Sequence, residues 1–449
     1  MKLPSIFSIL KVGIGPSSSH TLGSLKIGQE IRKYIINNNK KIKSLKIRLL
    51  GSFAHTGKGH LTHKAAVAGL NGYELKDKKG SIKYFYDRVE KENKLIFNNT
   101  DINFDPEKDI IFDIKKKDYP HPNTVEYKLE YKNETTEILI YCSVGAGDIR
   151  KAENLKKTKS EKEKKYSFED ILKYCNSHEI DLIKLIEDNE RKYHSIDTKT
   201  LYEKLETILQ VMEQNIENGL NKSGILPGSL ELKRRAKEMY EAFLENLRNW
   251  RLLSRQITLA NIYAISVAEE NASGEIIITA PTCGSAGILP SALKIMEERY
   301  HLSRDKVING LMIAGLIGAV IKKNGSVSGA EVGCQGEVGV ASSMAAGAIC
   351  YLLNGNINQI ENASEIALEH HLGLPCDPID GLVQIPCIER NGVGVITSLN
   401  AANLALMRKS EQQISLDQVV DVMMEIGNDM NKKYKETSLG GLAKKFKNK

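Results

Sequence analysis

Three cysteines, Cys334, Cys376 and Cys387, stand in segments unlike the helical runs around them. Cys334 lies in Gly329-Ala-Glu-Val-Gly-Cys-Gln-Gly-Glu-Val-Gly339, between two carboxylates and repeated glycines. The other two bound Cys376-Asp-Pro-Ile-Asp-Gly-Leu-Val-Gln-Ile-Pro-Cys387, beside prolines and acidic residues. Irregular loops of this kind leave backbone and thiol groups free to meet a metal, and one iron–sulfur cluster is the chemistry they suggest. Counting alone does not select this trio from seven cysteines. Cys142 in a strand-like run, Cys350 in an apolar helix and Cys175 read as small buried hydrophobes, whereas Cys283 sits in a glycine loop like the chosen three. The short Cys-x-x-Cys spacings of ferredoxins and zinc modules are not present.

Three loops in the first third gather hydroxyls and imidazoles. Gly15-Pro-Ser-Ser-Ser-His-Thr21 runs into a helical pattern, so its N–H groups and the hydroxyls of Ser17, Ser18 and Ser19 suit an anion such as a carboxylate. Gly51-Ser-Phe-Ala-His-Thr-Gly-Lys-Gly-His60 lies between a strand pattern and an Ala-rich helix. It lacks the full phosphate-loop motif, because Gly59 and His60 follow Lys58. His121-Pro-Asn-Thr124 sets an imidazole and an amide in a proline-stiffened turn. Histidine near its ordinary pKa is suited to proton transfer, which makes His60, His20 and His121 acid–base candidates. Thr56, Lys58 and Asn123 join the serines as candidate substrate contacts. Thr279-Ala-Pro-Thr-Cys-Gly-Ser-Ala-Gly287 is a further polar glycine loop.

The elements that must position these groups fall into two patterns. With 449 residues, 41% hydrophobic and 27% charged, the chain has the composition of a soluble globular protein with more than one core. The net charge of +7 is spread over lysines without interleaved aromatics, which argues against a nucleic-acid face. Apolar runs at 311–321 and 338–353 are too short to span a bilayer and read as buried helices. The N-terminus lacks a signal-peptide pattern, and odd, unframed cysteines suit a reducing cytoplasm. Residues 1–150 combine a helix over 22–36 with short runs at 44–50, 81–86, 94–97, 109–114, 125–131 and 137–144. Several alternate apolar and polar residues, predicting hairpins in a partly antiparallel sheet. Residues 151–166 are charged and read as a linker. From Ser167 to the end a 3.6-residue period dominates, so residues 167–449 are expected to be nearly all α and the whole chain α+β.

These stretches together resemble the bacterial single-chain, iron–sulfur-dependent L-serine dehydratases (L-serine ammonia-lyases). The similarity runs through Gly15 to His20, Thr56 to His60, His121 to Thr124, Leu226-Pro-Gly228, Lys233-Arg-Arg-Ala236, Thr279 to Gly287, Ser328 to Gly339, Leu372 to Asn391 and Lys435-Glu-Thr-Ser-Leu-Gly-Gly-Leu-Ala443. The resemblance implies a small N-terminal α/β domain like regulatory serine-binding domains, joined to a helical catalytic domain. It implies a [4Fe–4S] cluster on Cys334, Cys376 and Cys387 with one iron free of protein ligands, and deamination of L-serine to pyruvate and ammonia. A cytoplasmic homodimer is the expected assembly. Cys283, His63 and Asp380 depart from common family versions. Three other readings compete. A pyridoxal-phosphate enzyme needs a Schiff-base lysine setting that the chain lacks; a cluster-containing redox sensor needs none of the Ser and His loops; a hydro-lyase for another hydroxy acid shares most of the chemistry.

Overall fold

Period-two hydrophobicity before residue 150 and period-3.6 hydrophobicity after residue 167 become two packed units. The computed structural model describes residues 1–38, 41–75, 81–98, 100–155, 166–246, 254–410 and 412–446. In chain order the strands are β1 (Lys11–Ile14), β2 (Ile42–Gly51), β3 (Lys94–Phe97), β4 (Thr100–Asn103), β5 (Ile110–Asp113), β6 (Asn123–Tyr131), β7 (Thr136–Ser143), β8 (Ile149–Lys151) and β9 (Ile276–Thr279).

The N-terminal unit is built on a five-stranded sheet of order β5-β2-β6-β7-β8. Strand β5 runs parallel to β2, and the remaining pairings are antiparallel. The β6–β7 hairpin turns through Lys132-Asn-Glu134, as its turn residues predict. Leu45, Ile47, Leu49, Val125, Tyr127 and Leu129 form one buried face with Ile27 and Ile31 of the Gly23–Asn37 helix. One short run departs from the strand-like expectation. Residues 81–86 open the Ile82–Glu92 helix, because the Ser81 hydroxyl caps the Tyr84 N–H at 3.2 Å and Ile82, Tyr86 and Val89 bury one helical face.

The helical unit begins where Ser167 caps the Asp170 N–H at 2.9 Å. Within residues 167–449, expected to be nearly all α, Ala236–Asn246 and Arg255–Ala272 are among the helices; residues 247–253 lie outside the described residues. The charged linker is likewise named only at its ends: Lys151 closes β8, Tyr166 donates its N–H to the Asn324 side chain at 3.1 Å, and residues 156–165 lie outside the described residues.

The two units are joined by more than that linker. Strand β1 pairs antiparallel with β9, Lys11 opposite Thr279, and Leu3, Ile6, Ile9 and Leu10 enter the core of the helical unit. The start of the segment read as residues 1–150 therefore packs with the second unit, which brings the loop at 15–21 onto that unit's surface. At the centre is the Val338–Leu352 helix, buried along almost its whole length and touching the Arg304–Asn324, Ile357–Glu369 and Cys387–Met407 helices. Both long apolar runs are thus interior helices, and among the described residues no helix is long and apolar enough to cross a membrane.

Small residues permit this close packing. A Cβ on Gly347 would lie 2.2 Å from Ile317 Cδ1 and 2.6 Å from Ser364 Oγ. Gly347→Val is expected to lower stability by about 1–3 kcal/mol through overpacking. Urea unfolding followed by circular dichroism checks this, and an unchanged midpoint would contradict the packing described.

Candidate active site

Gly51 ends β2 in a left-handed conformation (φ 59°), and a Cβ there would lie 2.2 Å from the Pro122 carbonyl. Only glycine fits such a turn, and it sends the chain into the short Ser52–Thr56 helix. Meanwhile Ser17 accepts the His20 N–H at 3.2 Å and opens a wide helical turn over Ser18–Leu22 that leads into the Gly23–Asn37 helix. The Thr21 hydroxyl donates to the His60 carbonyl at 2.8 Å, locking the two loops together.

This brings His20 and His60 against one another, ring centroids 4.5 Å apart and planes tilted by 31°. His20 Nε2 lies 3.1 Å from Ser52 Oγ and 3.0 Å from Thr56 Oγ1; its Nδ1 lies 3.0 Å from Ser19 Oγ. His60 Nδ1 sits 3.2 Å from the Thr56 carbonyl, an arrangement in which Nδ1–H donates and Nε2 keeps its lone pair.

Glu436 reaches the edges of both rings. Its Oε1 is 3.3 Å from His20 Nδ1 and 3.5 Å from His60 Nε2, and its side chain is 3% exposed. The three groups, all of types that bind metals, offer ligand atoms within 4.8 Å of one another. The backbone fixes the carboxylate: Glu436 N–H donates to the Cys376 carbonyl, Cys376 N–H donates to the Tyr434 carbonyl, both at 2.8 Å, and Ser52 Oγ donates to the Glu436 carbonyl at 2.5 Å. Glu436 Oε2 has no hydrogen-bond partner. Burial would raise this carboxyl, but the adjacent His20 and His60 outweigh that and hold it below the usual range.

Cys334, Cys376 and Cys387 line one cavity together with Ser17, His60, Glu337 and Glu436. A hydrogen bond from the Cys376 thiol, backed by the Arg390 guanidinium, draws Cys334 down to about 6 despite its burial. The bond to Cys334 and burial push Cys376 well up, and burial followed by the charge of Cys334 does the same for Cys387. Glu337, with Oε2 3.8 Å from Cys376 Sγ, is raised by burial and by Cys334 and Glu436. The trio is therefore a convergent thiol set of the kind that could hold a metal centre. Cys283 stays apart, buried, its Sγ 3.6 Å from the Ile14 carbonyl, and burial raises it strongly.

Other sequence candidates take different positions. Ser17 reaches the cavity; Ser18 is buried; Ser19 joins Ser17 at 3.3 Å and His20. Thr56 supports His20, and Lys58 is exposed at the mouth of a neighbouring cavity. His121 does not join the other imidazoles. Its Nδ1 accepts the Asn123 N–H and its Nε2 meets Glu331 Oε1, both at 3.0 Å. Asn123 is fully buried, and neither its Oδ1 nor its Nδ2 has a partner.

Two family models cover the chain: that described as "Serine dehydratase beta chain" matches residues 5–154, and that described as "Serine dehydratase alpha chain" matches residues 157–443. The L-serine dehydratase of Helicobacter pylori strain J99 is 39% identical over 99% of both chains. L-serine dehydratase 1 of Escherichia coli K12 is 38% identical over 98% of both.

The chain belongs to the serine dehydratase family.

In this serine dehydratase the group that sequence reasoning missed is Glu436. It lay in view within Lys435-Glu-Thr-Ser, a stretch noted for its resemblance, but a lone glutamate in a polar tail gives no sign of burial. Arg390, whose guanidinium donates to the Pro375 carbonyl at 2.8 Å behind the thiols, was missed for the same reason.

Buried histidines also set a pH response. Burial, followed by the charge of His20, lowers His60 from 6.5 to about 4. Burial lowers His63, packed against Tyr86 and Phe112, from 6.5 to about 4 as well. Between those values the unfolded chain binds more protons than the folded one, so stability falls as pH drops from about 6.5 towards 4. His63→Gln should shrink the loss of urea midpoint between pH 7 and pH 5; an undiminished loss would contradict this assignment.

Proposed function

We propose that this chain is an L-serine dehydratase that eliminates water from L-serine and yields pyruvate and ammonia, using a [4Fe–4S] cluster held by Cys334, Cys376 and Cys387. The observation that carries this is the convergence on one buried cavity of three thiols with His60 and Glu436, the latter backed by His20. Membership in the family supports the substrate.

The donor set fits the cofactor. Three thiols, with the Arg390 guanidinium favouring ionisation of Cys334, suit a cationic iron core, and none of the other cysteines lines this cavity. When bound, such a cluster supplies a Lewis-acidic iron that makes the substrate hydroxyl a better leaving group. Ser17, Ser18 and Ser19, with the N–H groups of their turn, receive the substrate carboxylate. His60 takes the α-proton at Nε2, the Thr56 carbonyl engaging Nδ1 and leaving that lone pair free. The resulting imidazolium is paired at once with Glu436 Oε1. His20 has both ring nitrogens engaged by Ser19, Ser52, Thr56 and Glu436 and serves to orient that carboxylate. His121, tied to Glu331 and Asn123, is a weaker candidate for the base. The α-proton held by His60 and the departing hydroxide together make up the water lost, and the enamine that remains tautomerises and hydrolyses in solution to pyruvate and ammonia.

Within the 1–150 stretch, apart from the Leu3–Ile14 segment that packs with the helical unit, we assign an N-terminal domain of the regulatory serine-binding type, with residues 151–166 as a linker and residues 167–449 as the catalytic domain, in a cytoplasmic homodimer. The support for this assignment is the resemblance. No observation favours the redox-sensor reading, since a sensor has no use for the buried acid–base cluster.

His60→Ala is expected to lower kcat by about 10²–10⁴-fold while the brown cluster absorbance of the anaerobically purified protein persists. Pyruvate assay and absorbance spectrum measured together check this; near-normal turnover would remove His60 from the base role.

A further inference from the structure

Beside the thiol cavity lies a second, larger cavity of about 260 Å³, and the two share Pro16 and Val383 as wall residues. It forms where loops from both units interlock. A Cβ on Gly59 would lie 2.4 Å from the Gly381 carbonyl, and one on Gly228 would lie 2.7 Å from Leu382. Lys58 and Asp380 are the charged residues of its lining, one of each sign, and both are exposed at the rim. The Asp380 carboxylate is held by the Ser229 hydroxyl, which donates to Oδ2 at 2.9 Å. Asp380 itself adopts a left-handed conformation (φ 52°), an unfavourable one for a residue with a side chain. Deeper in the wall, Gln384 is 1% exposed. Its Nε2 donates to the Pro227 carbonyl at 2.7 Å, while its Oε1 is buried without any donor. A buried acceptor left in that state is costly, and a ligand N–H removes the cost.

We propose that this cavity is a vestibule in which a zwitterionic α-amino acid docks before it passes to the thiol cavity. Lys58 draws the carboxylate; Asp380 and Gln384 Oε1 take the α-ammonium. The remaining wall is largely apolar, with Leu61, Ala272 and Leu382 offering no competing charge. Such a site selects ligands that carry both charges on one carbon and disfavours hydroxy acids, which lack the ammonium. The inference rests on the L-serine reading above and adds a place where the substrate's amino group is recognised.

The test compares wild-type holoenzyme with Asp380→Asn and Asp380→Glu, prepared without oxygen. L-serine is the substrate, L-alanine the zwitterionic inhibitor without a leaving hydroxyl, and L-lactate the inhibitor without an ammonium. Asp380→Asn should raise KM for L-serine and Ki for L-alanine in parallel by about tenfold, the loss of roughly one charge-assisted hydrogen bond. It should leave kcat within about twofold and L-lactate inhibition unweakened, and Asp380→Glu should recover part of the loss. Unchanged KM and Ki would overturn the vestibule. So would a fall in kcat at constant KM, or equal weakening of both inhibitors, which reports a collapsed loop. Wild-type enzyme that makes no pyruvate would instead overturn the assigned reaction, and calorimetric titration of L-alanine into wild type and Asp380→Asn would still decide the vestibule.

Discussion

A carboxylate buried at 3% exposure is tolerated in this fold because two imidazoles face it. An isolated ionised carboxyl in such a place would carry a large desolvation cost, which the His20 imidazole against Oε1 offsets by charge and hydrogen bonding. The partners come from different parts of the chain. The imidazoles belong to loops of the N-terminal unit, whereas Glu436 hangs from a backbone bridge between Cys376 and Lys435 in the helical unit. One interaction therefore docks the units and builds the His20–Glu436–His60 cluster beside the thiols. Ser52 and Thr56 extend the same seam by binding both the His20 ring and the Glu436 carbonyl.

The thiol cavity follows a similar electrostatic logic. Three thiols crowd against Glu337 and Glu436, so each ionisation makes the next harder, and Cys334 alone is drawn down, by Cys376 and Arg390. A donor set with this much latent negative charge is matched to a cation. On the proposed function, the thiols would hold the group that activates the leaving hydroxyl while the neighbouring imidazoles lie where the α-proton would be removed.

Much of this arrangement is legible in the order of the amino acids. Local patterns carry it: period-two runs become β2, β6 and β7, apolar runs at 311–321 and 338–353 become interior helices, and Ser167 caps the first helix of the second unit. The loops holding His20 and His60 and those holding Cys334, Cys376 and Cys387 stand out because glycine, proline and polar residues interrupt regular periods there. Contacts that depend on distant segments are not legible in this way. Nothing local in Lys11–Ile14 announces pairing with Ile276–Thr279, and nothing in a polar tail announces that Glu436 is buried. Residues 81–86 mislead for a different reason: a short run of Ile, Tyr and Phe suits a strand, and the Ser81 cap and the Tyr86–Val89 spacing outweigh that preference.

The most direct measurement is the ultraviolet–visible spectrum of protein purified without oxygen, recorded before and after addition of L-serine alongside a pyruvate assay. The account predicts a brown iron–sulfur absorbance that shifts on addition of L-serine as pyruvate appears. A colourless, iron-free preparation that still converts L-serine to pyruvate would contradict it.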